Sequence, residues 1–145
     1  MVWNPLLNNT DYFNSVYSAP PPNITFPNPT FFGVTSTFED PLTIGPSNDS
    51  LQIGTAHGFY FFDSLRDFTL FHIFTANITE GDYLGTLDVF GQVREIDPIR
   101  YLTVIGGTGD FMLARGLATC TLIELYRGPP GAARWTLFFD LDLYY

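Results

Sequence analysis

The residues of this chain best equipped for chemistry sit in one run, Ile105 to Gly116, reading IGGTGDFMLARG. Three glycines in it, Gly106, Gly107 and Gly109, predict a tight turn, because glycine alone takes positive φ without a steric penalty. The turn is expected to deliver Asp110 to the mouth of an apolar strand, with Arg115 further in beside Leu113 and Leu117. A carboxylate and a guanidinium are thereby expected beside a hydrophobic interior, where desolvation can keep a carboxyl protonated and let it serve as an acid. The bland alternative is a structural ion pair at the rim. Phosphate binding is excluded by the missing Gly-Lys-Ser/Thr ending and G-x-G-x-x-G spacing, and by the β-patterned segment that follows where a helix would be required.

A second carboxylate has a similar setting. If residues 31–40 are extended, Phe32, Val34, Phe38 and Asp40 share one face and Thr35, Thr37 and Glu39 the other, so Asp40 falls on the apolar side. The competing reading makes Asp40, which precedes Pro41, a turn cap. In the next apolar segment Gly54, Ala56, Gly58 and Tyr60 align. Three small residues beside a tyrosine either leave space for a ligand or accommodate a crowded neighbour or a bend.

Other reactive side chains offer less. Cys120 lies in an apolar strand with no framing His or Asn motif and reads as a buried, inert thiol. His57 and His72 fall in different strands without clustered ligands, so no metal site is expected. Asp140 and Asp142 alternate with Phe139, Leu141 and Leu143 and point to solvent. With a net charge of −9 and no lysine, the chain lacks the basic surface that nucleic acid requires.

The elements that must position these groups are strands. Fifteen Phe and eight Tyr, with few charges and frequent Pro and Gly, favour an all-β class. Residues 1–30 read as an irregular arm with a short strand at 11–17, and residues 31–145 as one domain. Apolar β segments recur at 31–39, 51–62, 68–78, 85–93, 100–105, 112–126 and 134–144, separated by DPLTIGPSND, DSLRD, TEGDY, DPI, GGTGD and RGPPGA. Such punctuation predicts an antiparallel meander closing into a barrel. The 112–126 segment is apolar on both faces, so its outer face is expected to be covered by another subunit. Asn8, Asn23, Asn48 and Asn77 each begin an N-x-S/T sequon, which points to a secreted glycoprotein. Residues 1–9 lack the basic start and apolar run of a signal peptide, so secretion implies that a leader has been removed. No stretch is suited to crossing a membrane as a helix.

FEDPLTIGPSNDS, HGFYFFD, DYLGTLDVFG and VIGGTGDFMLARGLAT, in this order and spacing, resemble the plant dirigent protein family from about Gly33 to Leu143. The resemblance implies an eight-stranded antiparallel β-barrel, usually a secreted, glycosylated homotrimer of the apoplast or cell wall. It also implies no metal or organic cofactor, and a cavity for phenylpropanoid radicals or quinone methides. A separate laccase or peroxidase would make the radicals. On the same resemblance Asp40 matches the aspartate of D-P-L-T, Asp110 that of G-G-T-G-D, Arg115 the arginine of A-R-G, and Tyr83 the tyrosine before the G-S/A-T-L stretch. Asp110 carries the subtype: GGTGDFFMARG is typical of members that guide coniferyl alcohol to the lignan pinoresinol. The expected catalytic set is Asp40, Asp110 and Arg115, with Phe38, Tyr60 and Tyr83 on the substrate. A pocket aspartate would be the acid for quinone methide cyclisation, and Arg115 would pair with a carboxylate or orient a phenolic oxygen. The alternatives are an oxidant-independent dehydratase or cyclase of the kind that forms pterocarpans, and a non-catalytic lignin-organising module. The F-H-D strand and N-terminal Cys of the lignan-forming relatives are absent here, where residues 12–14 read YFN.

Overall fold

The computed structural model describes residues 31–47, 49–127 and 133–145. Within them the chain forms β1 (Thr35–Thr43), β2 (Gln52–Phe62), β3 (Thr69–Ile78), β4 (Gly85–Arg94), β5 (Ile99–Gly109), β6 (Arg115–Arg127) and β7 (Ala133–Tyr144). They make one antiparallel sheet in sequential order, the up-and-down meander that the regular turn spacing predicts. The sheet curls around a single interior. Phe74 of β3 and Phe139 of β7 meet at 5.7 Å between ring centroids, and every strand contributes to one apolar cluster. Seven strands rather than eight are seen among the described residues. The strand expected at 11–17, the arm at 1–30 and the sequons at Asn8, Asn23 and Asn48 lie outside them.

Two predicted breaks are strand. DPLT belongs to β1, which runs through Pro41 to Thr43. Within the described residues β1 pairs only with β2, and such an edge tolerates a residue with no N–H to offer. GGTG likewise continues β5 to Gly109, with Gly107 paired to Leu87 and Gly109 to Gly85. The turn begins at Asp110 and holds Leu113 at a φ of 68°. A register shift on β5, where Asp88 faces Gly106 and Val89 faces Val104, leaves Ile105 as the extra residue of a bulge.

Antiparallel register sorts the inward side chains into rows. One row is Leu42, Gly54 and Ile78; the next is Asp40, Ala56, Ala76, Leu87 and Gly107. Then follow Phe38, Gly58, Phe74, Val89 and Val104, and finally Ser36, Tyr60, His72 and Gly91. Successive rows lie about 6.6 Å apart along a strand. The small residues of β2 answer the question left open above. A Cβ on Gly58 would sit 2.3 Å from the Ile73 carbonyl oxygen and 2.4 Å from Phe74 Cβ, and one on Gly54 would sit 2.0 Å from the Asn77 carbonyl oxygen. These glycines let the β3 backbone approach closely; they do not hold space for a ligand. Tyr101 and Ile105 of β5 are exposed on the outer side, and Ile123 of β6 and Phe138 of β7 are exposed at the edge of the cavity described below.

Gly58→Ala is therefore expected to destabilise the fold by about 1–3 kcal/mol in urea unfolding. Gly106→Ala, where nothing lies within 4 Å of the added carbon, should stay within about 0.5 kcal/mol of wild type. Equal effects of the two substitutions would contradict the close-approach assignment.

Candidate functional site

Asp40 is inside β1, not at a turn, and its alternation with Val34, Ser36 and Phe38 carries it to the interior. It is 1% exposed. Its neighbours in register are Ala56 and, one strand further, Ala76, methyl groups that offer no hydrogen bond. Among the described residues neither carboxyl oxygen has a hydrogen-bond partner. Desolvation by burial pushes the Asp40 pKa up to about 8, so the group is a neutral carboxylic acid at physiological pH.

Aromatic rings line the interior around it. Phe38 lies 6.3 Å from Tyr60 and 6.0 Å from Phe74 between ring centroids, and Tyr60 lies 5.5 Å from His72. Phe38 and Tyr60 thus share the interior with Asp40, as their phase implies. Beside the acid is a cavity of about 370 Å³, walled by Leu42, Phe74, Ala76, Ile78, Leu87 and Phe139, with the hydroxyl-bearing Thr43 and Thr136 and the loop Ile44 to Pro46. This size and mostly apolar lining suit a small aromatic ligand. Asp40 stands next to the cavity, behind its wall.

Asp110 and Arg115 are placed differently from the expectation. Asp110 is exposed at the rim, where its Oδ2 accepts the Leu84 N–H at 2.8 Å and its own N–H donates to the Leu84 carbonyl at 2.9 Å. Tyr145 Oη donates to its carbonyl at 3.2 Å. The carboxylate therefore pins the β3–β4 loop to the β5–β6 turn. Arg115 is exposed, with no ion-pair partner among the described residues. The sequence reading set both beside a hydrophobic interior. Because β5 extends through GGTG and the turn consumes Asp110 to Leu113, Ala114 and Ala118 take the inward phase and Arg115 the outward one. Tyr83 is 65% exposed in the same loop, its ring 6.5 Å from that of Phe111, away from Phe38 and Tyr60.

The far end of the interior holds groups that motif reading passed over. Arg100 is 6% exposed; its Nη2 donates to the Glu95 carbonyl at 2.7 Å, its Nε donates to the Asp97 carbonyl at 3.1 Å, and its Nη1 lies 3.5 Å from Glu95 Oε2. Burial raises the Glu95 pKa, against the pull of Arg100. His72 faces this end, and burial with the nearby Arg100 charge lowers its pKa to about 3, leaving a neutral imidazole. Alternation with Leu102 and Val104 was the available signal for Arg100. His57 points outward, its Nε2 2.9 Å from Thr55 Oγ1, so the two histidines lie on opposite faces. Burial pushes the Cys120 thiol up to about 11, which makes it unreactive. Asp140 and Asp142 are exposed. Asn77, the one sequon within the described residues, sits half-buried near the end of β3 on its outward phase.

Comparison with known proteins places this geometry among relatives. The family model of dirigent-like proteins matches residues 8–131. The chain is 36% identical over 117 residues to pterocarpan synthase 1 of Glycine max, covering 74% of this chain and 63% of that protein. It is 36% identical over 113 residues to dirigent protein 5 of Arabidopsis thaliana, covering 78% and 60%. A dirigent protein of Sinopodophyllum hexandrum is 38% identical over 113 residues, covering 78% and 56%. The chain thus spans about three fifths of the length of the curated relatives it matches. Among solved structures, that of the pterocarpan synthase dirigent protein GePTS1 superposes with a TM-score of 0.81 at 27% identity, covering 98% of this chain and 84% of that one.

The sign of the Asp40 effect on stability follows from its raised pKa. Between roughly pH 4 and 8 the unfolded chain releases this proton and the folded chain keeps it, so stability falls as pH rises through that window and levels off above it. The single group should contribute a slope of about 1.4 kcal/mol per pH unit. Urea unfolding at a series of pH values is expected to show this slope in wild type and its loss in Asp40→Asn. Parallel curves for the two proteins would contradict it.

Proposed function

This chain belongs to the dirigent-like protein family, and we propose that it closes a ring on a phenolic substrate by acid-assisted loss of water, with Asp40 as the acid. The observation that carries this reading is the neutral carboxyl of Asp40, without a hydrogen-bond partner among the described residues, beside an apolar cavity. A phenol bearing a benzylic hydroxyl ionises reluctantly because hydroxide is a poor leaving group. Proton transfer from Asp40 lets the hydroxyl depart as water, and the phenol takes up the resulting positive charge as a quinone methide, releasing its own proton. A second phenolic oxygen then attacks the benzylic carbon, its proton restores Asp40, and the quinone methide oxygen takes back from solvent the proton it had released. Atoms and electrons balance without an oxidant, the net change being one water lost. An apolar wall keeps bulk water from trapping the intermediate.

The pterocarpan synthases among the relatives support this class of reaction. Stereodirected coupling of coniferyl alcohol radicals toward pinoresinol is the second reading, favoured by the GGTGD run and by the Sinopodophyllum hexandrum relative. It gives way here because Asp110, which carried that subtype, is occupied at the rim in holding Leu84. In both readings the protein is a secreted homotrimer, its exposed β5, β6 and β7 side chains forming the subunit contact and Asn77 carrying a glycan. A laccase or peroxidase is a partner only in the second.

The two readings separate on oxidant dependence. The purified protein is incubated without oxidase with a hydroxyphenyl chromanol whose benzylic hydroxyl can leave and whose second phenol can close the ring. Turnover is expected, declining as pH rises through about 8. Asp40→Asn should lower it by about 100-fold or more, the usual contribution of a positioned general acid. No turnover here, together with an enantiomeric excess of pinoresinol from coniferyl alcohol and laccase, would move the assignment to radical coupling.

A further inference from the structure

The acid and the cavity are adjacent without being open to each other. Asp40 is 1% exposed, and bulky side chains stand in the rows beside it on β1, β3 and β4. Leu42 and Ile78 stand on either side of Gly54 in the row on one side, Phe38, Phe74 and Val89 stand with Gly58 in the row on the other, and Leu87 occupies the far end of the acid's own row. In that row only Ala56 and Ala76 stand between the carboxyl and the cavity. Ala56 is fully buried, whereas Ala76 is on the cavity wall. Neighbouring strands lie about 4.8 Å apart, so two strand spacings separate the Asp40 and Ala76 backbones, and the only side chains across that gap are two methyl groups. Alanine is a weak strand former, and a larger β-branched residue would serve β3 better on backbone grounds alone.

We propose that Ala76 is a specificity-determining residue, its small side chain keeping the lane through which a bulky aryl ligand in the cavity reaches the Asp40 carboxyl. This rests on the acid-assisted reading above. Among the described residues the far end of the interior is occupied by Arg100 with Glu95 and by the rings of Phe31, Phe62 and Phe68, and the cavity side is the approach this proposal uses. The side chain at position 76 then decides how large a ring system can lie against the acid. Valine there adds two methyl groups to the lane without a polar atom. Glycine removes the Ala76 methyl and leaves that of Ala56.

The test compares wild type, Ala76→Val and Ala76→Gly on two substrates. One is the hydroxyphenyl chromanol; the other is hydroxybenzyl alcohol, a single ring whose hydroxyl exchanges with isotopically labelled water when protonated by the same acid. Ala76→Val is expected to lower kcat/KM for the chromanol by about 10-fold or more. Its exchange rate on hydroxybenzyl alcohol should stay within about 2-fold of wild type. Ala76→Gly should retain the chromanol activity. Equal activity of wild type and Ala76→Val on both substrates would overturn the proposal. An equal loss on both would also overturn it, since that is the signature of a structural residue. If wild type turns over neither substrate without oxidant, the acid-assisted reading falls and this proposal with it, a result distinct from either failure of the Ala76 comparison.

Discussion

The structure depends on keeping a carboxyl in a place where it cannot be charged. Asp40 has alanine neighbours, no hydrogen-bond partner among the described residues and almost no exposure. An ionised carboxylate there would forfeit its hydration with nothing in return, so the proton stays and the pKa rises to about 8. The fold accepts a stability cost at neutral pH to keep the acid ready. Among the described residues its surroundings are compatible with that condition: apolar rings on the adjacent row, methyl groups alongside, and the buried guanidinium of Arg100 committed elsewhere to Glu95 and the Asp97 carbonyl. A cation beside Asp40 would pull the proton off and remove the acid.

Close strand contact makes such an interior possible. Gly58 and Gly54 let β3 press against β2, which leaves the inward rows in tight register and allows one position to be tuned without disturbing the next. The two ends of the interior then differ in kind. One is a set of charges and carbonyls around Arg100 that tie β5 to the turn before it. The other is an apolar cavity under the loop after β1, with Asp40 at its flank. Rim contacts such as Asp110 with Leu84 hold the loops at the mouth and leave the chemistry to the interior.

Much of this was legible in the residues, for identifiable reasons. Strands 2, 3, 4 and 7 fall within about two residues of the apolar segments, since Pro, Gly and Asp mark their ends. Alternation alone put Asp40, Phe38 and Tyr60 on the inward face, because β1 and β2 pair without a bulge over those positions. The errors also have causes. GGTG has the composition of a turn, yet Gly107 and Gly109 serve close pairing at β4, which shifts the turn to Asp110 and turns Arg115 outward. Arg100 escaped notice because a charged residue at the head of a strand reads as solvated, although its phase with Leu102 and Val104 pointed inward. Tyr83 followed a motif match with no phase argument behind it, and it lies at the rim.

The proton on Asp40 can be observed directly. The protein labelled with ¹³C at the aspartate carboxyls should show one resonance, assigned by its loss in Asp40→Asn, that remains in the protonated position at pH 7 and titrates near pH 8. An Asp40 carboxyl that titrates near pH 4 would mean an ionised group at neutral pH, and would contradict the acid, the cavity chemistry built on it and the stability slope together.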